Sequence, residues 1–196
     1  NAFSLAKGIA TLAHLSQKDI AVGIGPGWAE HEFHAVGSPF HERGALADEF
    51  CRLFMNLRTA PDEAWQVGPY SYGGSGFEPR LSARTQLWVG GNITAARRRG
   101  VRWGDAWQPP GLGVEAMREG IADLRQLCDQ SGRDFSQVAT GLRLRVRPTP
   151  DAPANYVGDL LGPYVEAGVC DFLLEINTRD RQRALDSIDR LAASAR

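Results

Sequence analysis

Residues able to do chemistry concentrate in four places. The first is Ile20 to Phe33, "IAVGIGPGWAEHEF", where Gly23, Gly25 and Gly27 alternate with other residues and Trp28 follows. A dinucleotide fingerprint, Gly-x-Gly-x-x-Gly, would need glycine at 28 and an acidic residue about 20 positions further on. Trp28 stands at the first of those positions, and no acidic residue closes a following strand. Glycines spaced this way suit a strand end that lets a flat ligand approach the backbone closely. The second place adjoins it: His31, His34 and His41, with Glu30 and Glu32 beside them. Only His31 and His34 could share a metal from one helix face, and their i, i+3 spacing differs from the i, i+4 pair of zinc proteases. Polar residues on an exposed helix near a site mouth are the favoured reading, and no metal is expected.

The third place is "WVGGN", Trp88 to Asn92, ahead of Ile93, Thr94 and a helix. Glycines here permit close approach, Asn92 or Thr94 can cap the helix, and free amides at the positive end of a helix dipole suit an anion. An ordinary strand-to-helix turn would carry the same letters. The fourth is "LRLRVR", Leu142 to Arg147, whose alternation puts Arg143, Arg145 and Arg147 on one strand face. Three arginines there must meet carboxylates such as Asp105, Asp171 or Glu175, face a wet site, or lie on a surface. Arg147, nearest the C-terminal strand end, is the candidate for substrate or cofactor anion contact. No Ser/His/Asp, Cys/His or CxxC arrangement is legible, so the catalytic residues stay unassigned. A site without reactive groups of its own works by positioning a cofactor that carries the chemistry.

The elements that must hold these residues alternate. Helical spacing over Ala2 to Ser16, then an apolar β-branched run at Ile20 to Ile24, gives helix then strand. A helix follows at Arg43 to Leu57, then a Gly- and Pro-rich stretch, 58 to 84, read as a long irregular excursion. Strands are expected at Thr85 to Gly91, Asp105 to Gln108, Val138 to Val146 and Cys170 to Ile176. Helices are expected at Thr94 to Arg102, Val114 to Gln130, Ala154 to Ala167 and Arg179 to Ser194. Arg97, Arg98, Arg99 and Arg102 read as a solvated helix end. Five strands, each followed by helix, imply an α/β fold with parallel strands and right-handed crossovers. A closed (β/α)8 barrel needs three strands more. The start at Asn1, inside a helix, makes a partial barrel within one domain, 1–196, the expected arrangement.

The chain has 196 residues, 43% of them apolar, and a formal net charge of -1, a balance that asks for neither nucleic acid nor a membrane. Cys51, Cys128 and Cys170 are odd in number and widely spaced, which predicts buried, reduced thiols in a cytoplasmic protein.

Jointly, "ATLAHLSQKDIAVGIGPGWAEHEFHAVGSPFHERGALADEF", "LWVGG", "AARRRGVRWGDAW" and "SGRDF" resemble the luciferase-like monooxygenase superfamily, above all its members that use the deazaflavin coenzyme F420. The resemblance covers roughly residues 5 to 147. It implies a TIM-type (β/α)8 barrel whose strands one to three are absent from this chain, with flavin or deazaflavin at the C-terminal face. It implies cofactor contacts at Gly25, Pro26, Gly27 and Trp28, and a phosphate at Val89, Gly90, Gly91 and Asn92. Asp105 and Trp107 match the family's Gly-Asp-Gly-Trp motif, here with Ala106 in place of the second glycine, and read as structural. The function so implied is hydride or oxygen transfer to a small-molecule substrate at bound F420, with FMN as the alternative. A homo-oligomer, such as a dimer, is expected. The alternative is a truncated, non-catalytic paralogue that binds flavin or serves as a structural partner.

Overall fold

The computed structural model describes residues 1–146, 156–176, 178 and 180–194. Arg147, the anion candidate, lies outside them. Helix α1 (Ala2–Ser16) runs into β1 (Ile20–Ile24), and α2 (Glu30–Ala35) with a 3-10 turn (Phe40–Glu42) leads to α3 (Arg43–Thr59). A pair of strands, β2 (Ala64–Val67) and β3 (Tyr70–Gly73), precedes β4 (Thr85–Val89) and α4 (Thr94–Trp103). Then come β5 (Ala106–Trp107), α5 (Val114–Ser131), β6 (Ala139–Val146), α6 (Tyr156–Glu166), β7 (Asp171–Ile176) and α7 (Arg181–Ser194).

Five strands form one curled parallel sheet in the order β1-β4-β5-β6-β7. Sequential βα units add each strand beside the last, as short right-handed crossovers require. Register pairs Gly23 with Trp88, Trp88 with Ala106 and Arg143 with Leu173. Strand alternation therefore divides the sheet into two faces. Leu87, Val89, Trp107 and Leu142 are fully buried on the outer face under the helices. Gly23, Trp88, Gln108, Arg143 and Leu173 line the inner, concave face. Among the described residues, β1 and β7 each lack a strand neighbour on their outer edge.

Residues 58 to 84 differ from the irregular excursion expected. Their centre is an antiparallel hairpin in which Val67 pairs with Tyr70 across Gly68 and Pro69. Gly68 has φ of 52° and proline follows it, the sequence a two-residue hairpin turn asks for. The hairpin's Trp65 and Tyr72, together with Phe3 of α1 and Phe77, form an aromatic layer with centroid spacings of 5.1 to 6.5 Å. That layer extends the core made by Phe50, Leu53, Phe54 and Leu57 of α3. A second core, around Trp107, Met117, Leu124 and Leu142, lies between the sheet and α5.

The arginines of α4 also depart from a solvated helix end. Arg99 is 7% exposed and its Nε donates to Asp48 Oδ1 of α3 at 2.6 Å. Arg97 Nε donates to Asp123 Oδ2 of α5 at 2.5 Å, whereas Arg98 and Arg102 are exposed. Two of the thiols are buried as expected, but Cys170 is exposed just before β7. No helix among the described residues is long and apolar enough to cross a membrane.

Candidate functional site

At the C-terminal end of β1 the chain passes through Gly25, Pro26 and Gly27 before turning at Trp28, which is 86% exposed. A side chain added at Gly23 or Gly25 would meet no atom within 4 Å, so both face open space. Gly27 has φ of 80°, and a Cβ there would come within 2.9 Å of the Phe33 ring. That turn is therefore held against α2 in a form that only glycine accepts without strain.

Next to it, the Gly90 amide donates to the Ile24 carbonyl at 2.8 Å, and the Gln108 amide to the Val89 carbonyl at 2.8 Å. The ends of β1, β4 and β5 are thereby level. Beyond β5, the Arg143 amide donates to the Pro109 carbonyl and the Gly111 amide to the Arg143 carbonyl, which brings β6 alongside Pro110. The result is a cleft of about 580 Å³ lined by Gly23 to Trp28, Trp88, Gly90, Gly91, Gln108, Pro110, Arg143 and Leu173. Its size and its mixture of apolar walls with a few convergent polar groups are those of a cofactor or small-ligand site.

One wall is the turn from β4 to α4. Gly91 has φ of 125°, and a Cβ there would lie 2.9 Å from that of Ala96. Ile93 occupies the N-cap position and provides no side-chain cap. Among the described residues, the amides of Gly91, Asn92, Ile93, Thr94 and Ala95 have no acceptor in the protein. The turn is tied from behind: Trp107 Nε1 donates to the Gly91 carbonyl at 2.9 Å, and Asn92 Nδ2 to the Pro110 carbonyl at 3.1 Å. A row of unsatisfied amides at the positive end of a helix can receive an anion.

Six of the eight residues expected at a cofactor, Gly25, Pro26, Gly27, Trp28, Gly90 and Gly91, are gathered round this cleft. Val89 is different: it is fully buried on the outer face, where Gly104 lies against it. Asn92 is exposed at the turn, its side chain engaged with Pro110. Trp88, Gln108, Arg143 and Leu173 were absent from the expected set. Alternation in "TQLWV" placed Trp88 opposite Leu87 and Val89, the one signal that could have found it. Among the described residues, the arginine that reaches the cleft is Arg143. It is half-exposed and sits 3.7 Å from Glu175, which Arg145 also approaches, at 3.3 Å.

The histidines lie apart from these groups. His34 Nε2 is 3.8 Å from Glu30 on α2, both exposed, and the described residues contain no group of three side chains able to hold a metal. Asp105 lies at the opposite end of the sheet from the cleft. Its carboxylate takes both Arg58 Nη1 and Nη2, at 2.5 and 3.0 Å, and also accepts the Leu87 amide at 2.7 Å. That is a structural role, in keeping with the reading of the motif.

A curled sheet of parallel βα units with a cleft at the strand C-termini defines a (β/α)-barrel architecture. Within that class, the chain belongs to the luciferase-like monooxygenase family, whose sequence profile matches residues 1–164. It is 28% identical over 123 residues to the FMNH2-dependent dimethylsulfone monooxygenase of Pseudomonas fluorescens, covering 61% of this chain and 34% of that protein. It is also 28% identical to an uncharacterised protein of Mycobacterium tuberculosis, covering 97% of this chain and 64% of that one. The chain thus spans between about a third and two thirds of the length of these relatives. Its fold matches that of an F420-dependent secondary alcohol dehydrogenase solved with an F420-acetone adduct, with a TM-score of 0.81 at 13% identity over 100% of this chain and 76% of that one.

Proposed function

We propose that the cleft receives the ring system of a flavin or deazaflavin, with the phosphate at the Gly90–Thr94 turn, as part of an oxidoreductase acting on a small-molecule substrate. The observation that carries this reading is the continuity of a bare glycine floor, Gly23 and Gly25 beside Trp88, with a turn whose amides lack acceptors. A planar ring fits against glycines and an indole face, and an anion fits the amides. Coenzyme F420 is the leading candidate and FMN the second, since relatives named for each resemble this chain. Either would supply transfer of a hydride, and FMN also oxygen chemistry, at its ring.

The chain's own residues bind and orient. Gly25 to Gly27 keep the strand end bare, Trp88 gives an apolar wall, and Gln108 offers an amide donor and acceptor. Arg143 brings positive charge to the cleft, suited to negative charge that builds on a ring during reduction or to an anionic substrate. Self-association belongs to the same proposal, since Leu5, Leu12 and Leu15 of α1 are 52 to 74% exposed at heptad-like spacing.

Titrating the purified chain with FMN and with F420, followed by ligand fluorescence, tests the reading. Saturable 1:1 binding of one of them, weakened on the order of tenfold in Arg143→Ala, is expected. Binding of neither would overturn it.

A further inference from the structure

The Gly90–Thr94 turn is fixed by side chains that reach it from behind, and among the described residues Arg97 makes two hydrogen bonds to it. Arg97 Nη1 donates to the Asn92 carbonyl at 3.1 Å and Nη2 to the Thr94 hydroxyl at 3.0 Å, while Nε is anchored on Asp123 at 2.5 Å. Its side chain is 13% exposed, and the guanidinium lies over the Trp107 ring, 5.5 Å from the centroid. Trp107 in turn holds the Gly91 carbonyl.

We propose that Arg97 is a positioning residue for the anion seat, resting on the reading of this turn as a phosphate site. A trans peptide is planar, so its N–H points opposite its C=O. Drawing the Gly91 carbonyl toward Trp107 and the Asn92 carbonyl toward Arg97 turns the next two amides, Asn92 and Ile93, away from both. Successive amides so aligned form an anion-binding concavity. The same guanidinium occupies a lone pair of the Thr94 oxygen, which leaves that hydroxyl's proton to be donated elsewhere. Because Arg97 is closely paired with Asp123, it acts through geometry more than through net charge. A lysine, with one point of charge and no planar fork, cannot span the three acceptors.

The test compares FMN with riboflavin, which differs only in lacking the phosphate; if the deazaflavin is the cofactor that binds, F420 and its phosphate-free core serve the same purpose. The wild-type chain is expected to hold the phosphorylated ligand on the order of tenfold or more tighter. In Arg97→Met and in Arg97→Lys that ratio should fall toward one, with affinity for the phosphate-free ligand unchanged. General loosening of the fold would weaken both ligands together. Thr94→Ala, at an exposed position, provides a second variant and should lower the ratio about threefold or more by loss of one donor.

A high wild-type ratio kept in Arg97→Met, or restored by lysine, overturns the positioning role while leaving the functional reading intact. Equal wild-type affinity for the two ligands overturns the phosphate seat and this role with it. Binding of neither ligand type overturns the functional reading itself.

Discussion

Burial pushes the Cys51 thiol up from its ordinary 9.0 to about 12, against the pull of the neighbouring Arg99 cation. An unfolded thiol ionises above about pH 8.5 to 9, where the folded one keeps its proton. The folded state therefore binds more protons in that range. The contribution of this group to stability is whole below pH 9.0 and drains away as pH rises toward about 12. Thermal midpoints measured across that window should fall with pH, and Cys51→Ala should flatten the decline. In the native protein at about pH 8.5, alkylation should mark Cys170 and spare Cys51 and Cys128, as mass spectrometry of the labelled chain would read.

At this scale the glycines of the cleft were legible because a strand end without side chains has a distinctive spelling. The arginines were harder. Alternation put Arg143 and Arg145 on one face, where both approach Glu175, but could not say how far along the strand the cleft would reach, and Arg147 lies outside the described residues. That depended on β5 ending at Trp107 and its continuation through Pro109 and Pro110 pairing with Arg143. A tertiary register selected the residue.

Helix α4 illustrates how an element is finished by a distant residue. Its last turn leaves carbonyls without intrahelical partners. Arg133, from the loop after α5, donates to Gly100 and Val101 at 3.2 and 2.6 Å and to Gly104 and Gln137 at 2.8 and 3.2 Å. Removing it strands the part-buried Val101 and Gly104 carbonyls, while Gly100 keeps the Gly104 amide as a donor, so Arg133→Ala should cost about 2–4 kcal/mol in urea unfolding. Arg133→Lys should recover less than half of this, because one ammonium cannot bridge four carbonyls. The stretch "SGRDF" carried this arginine in the family resemblance, yet nothing in the local pattern told what it would hold.

The β2–β3 hairpin was missed for the opposite reason. Proline and glycine on every side obscured two strands of four residues, although Gly68-Pro69 between "WQV" and "YSY" was the informative pair. The long helices and the β4 and β6 strands were legible from periodicity, since burial on one face is what periodicity records.

Across the whole molecule, the apolar cores on either side of α4 remain separate, one centred on α3 and one on α5. Besides the β4–β5 pairing of the sheet and α4 itself, charge joins them. Arg99 ties α4 to Asp48 of α3, Arg97 ties it to Asp123 of α5, and Arg58 of α3 grips Asp105 beside β5. The order of βα units was legible from sequence, but these cross-ties were not, because arginine on a helix reads equally well as solvated surface. The Arg58–Asp105 pair is the most demanding, with side-chain exposures of 11% and 28%. Asp105 also satisfies the Leu87 amide, and Arg58 also donates to the Thr85 carbonyl at 3.0 Å. Asp105→Ala leaves a nearly buried guanidinium unpaired and a strand amide without its acceptor, a loss of about 3–5 kcal/mol. Arg58→Met leaves a carboxylate that water can still reach and that keeps one amide, so about 1–3 kcal/mol should be lost. The double variant should be less destabilised than the sum of the two, since the second change removes the charge that the first left stranded. Denaturant unfolding of the four proteins measures that coupling. If the single-variant losses simply add, the pair does not join the two halves, and the cooperativity of the molecule must come from the sheet alone.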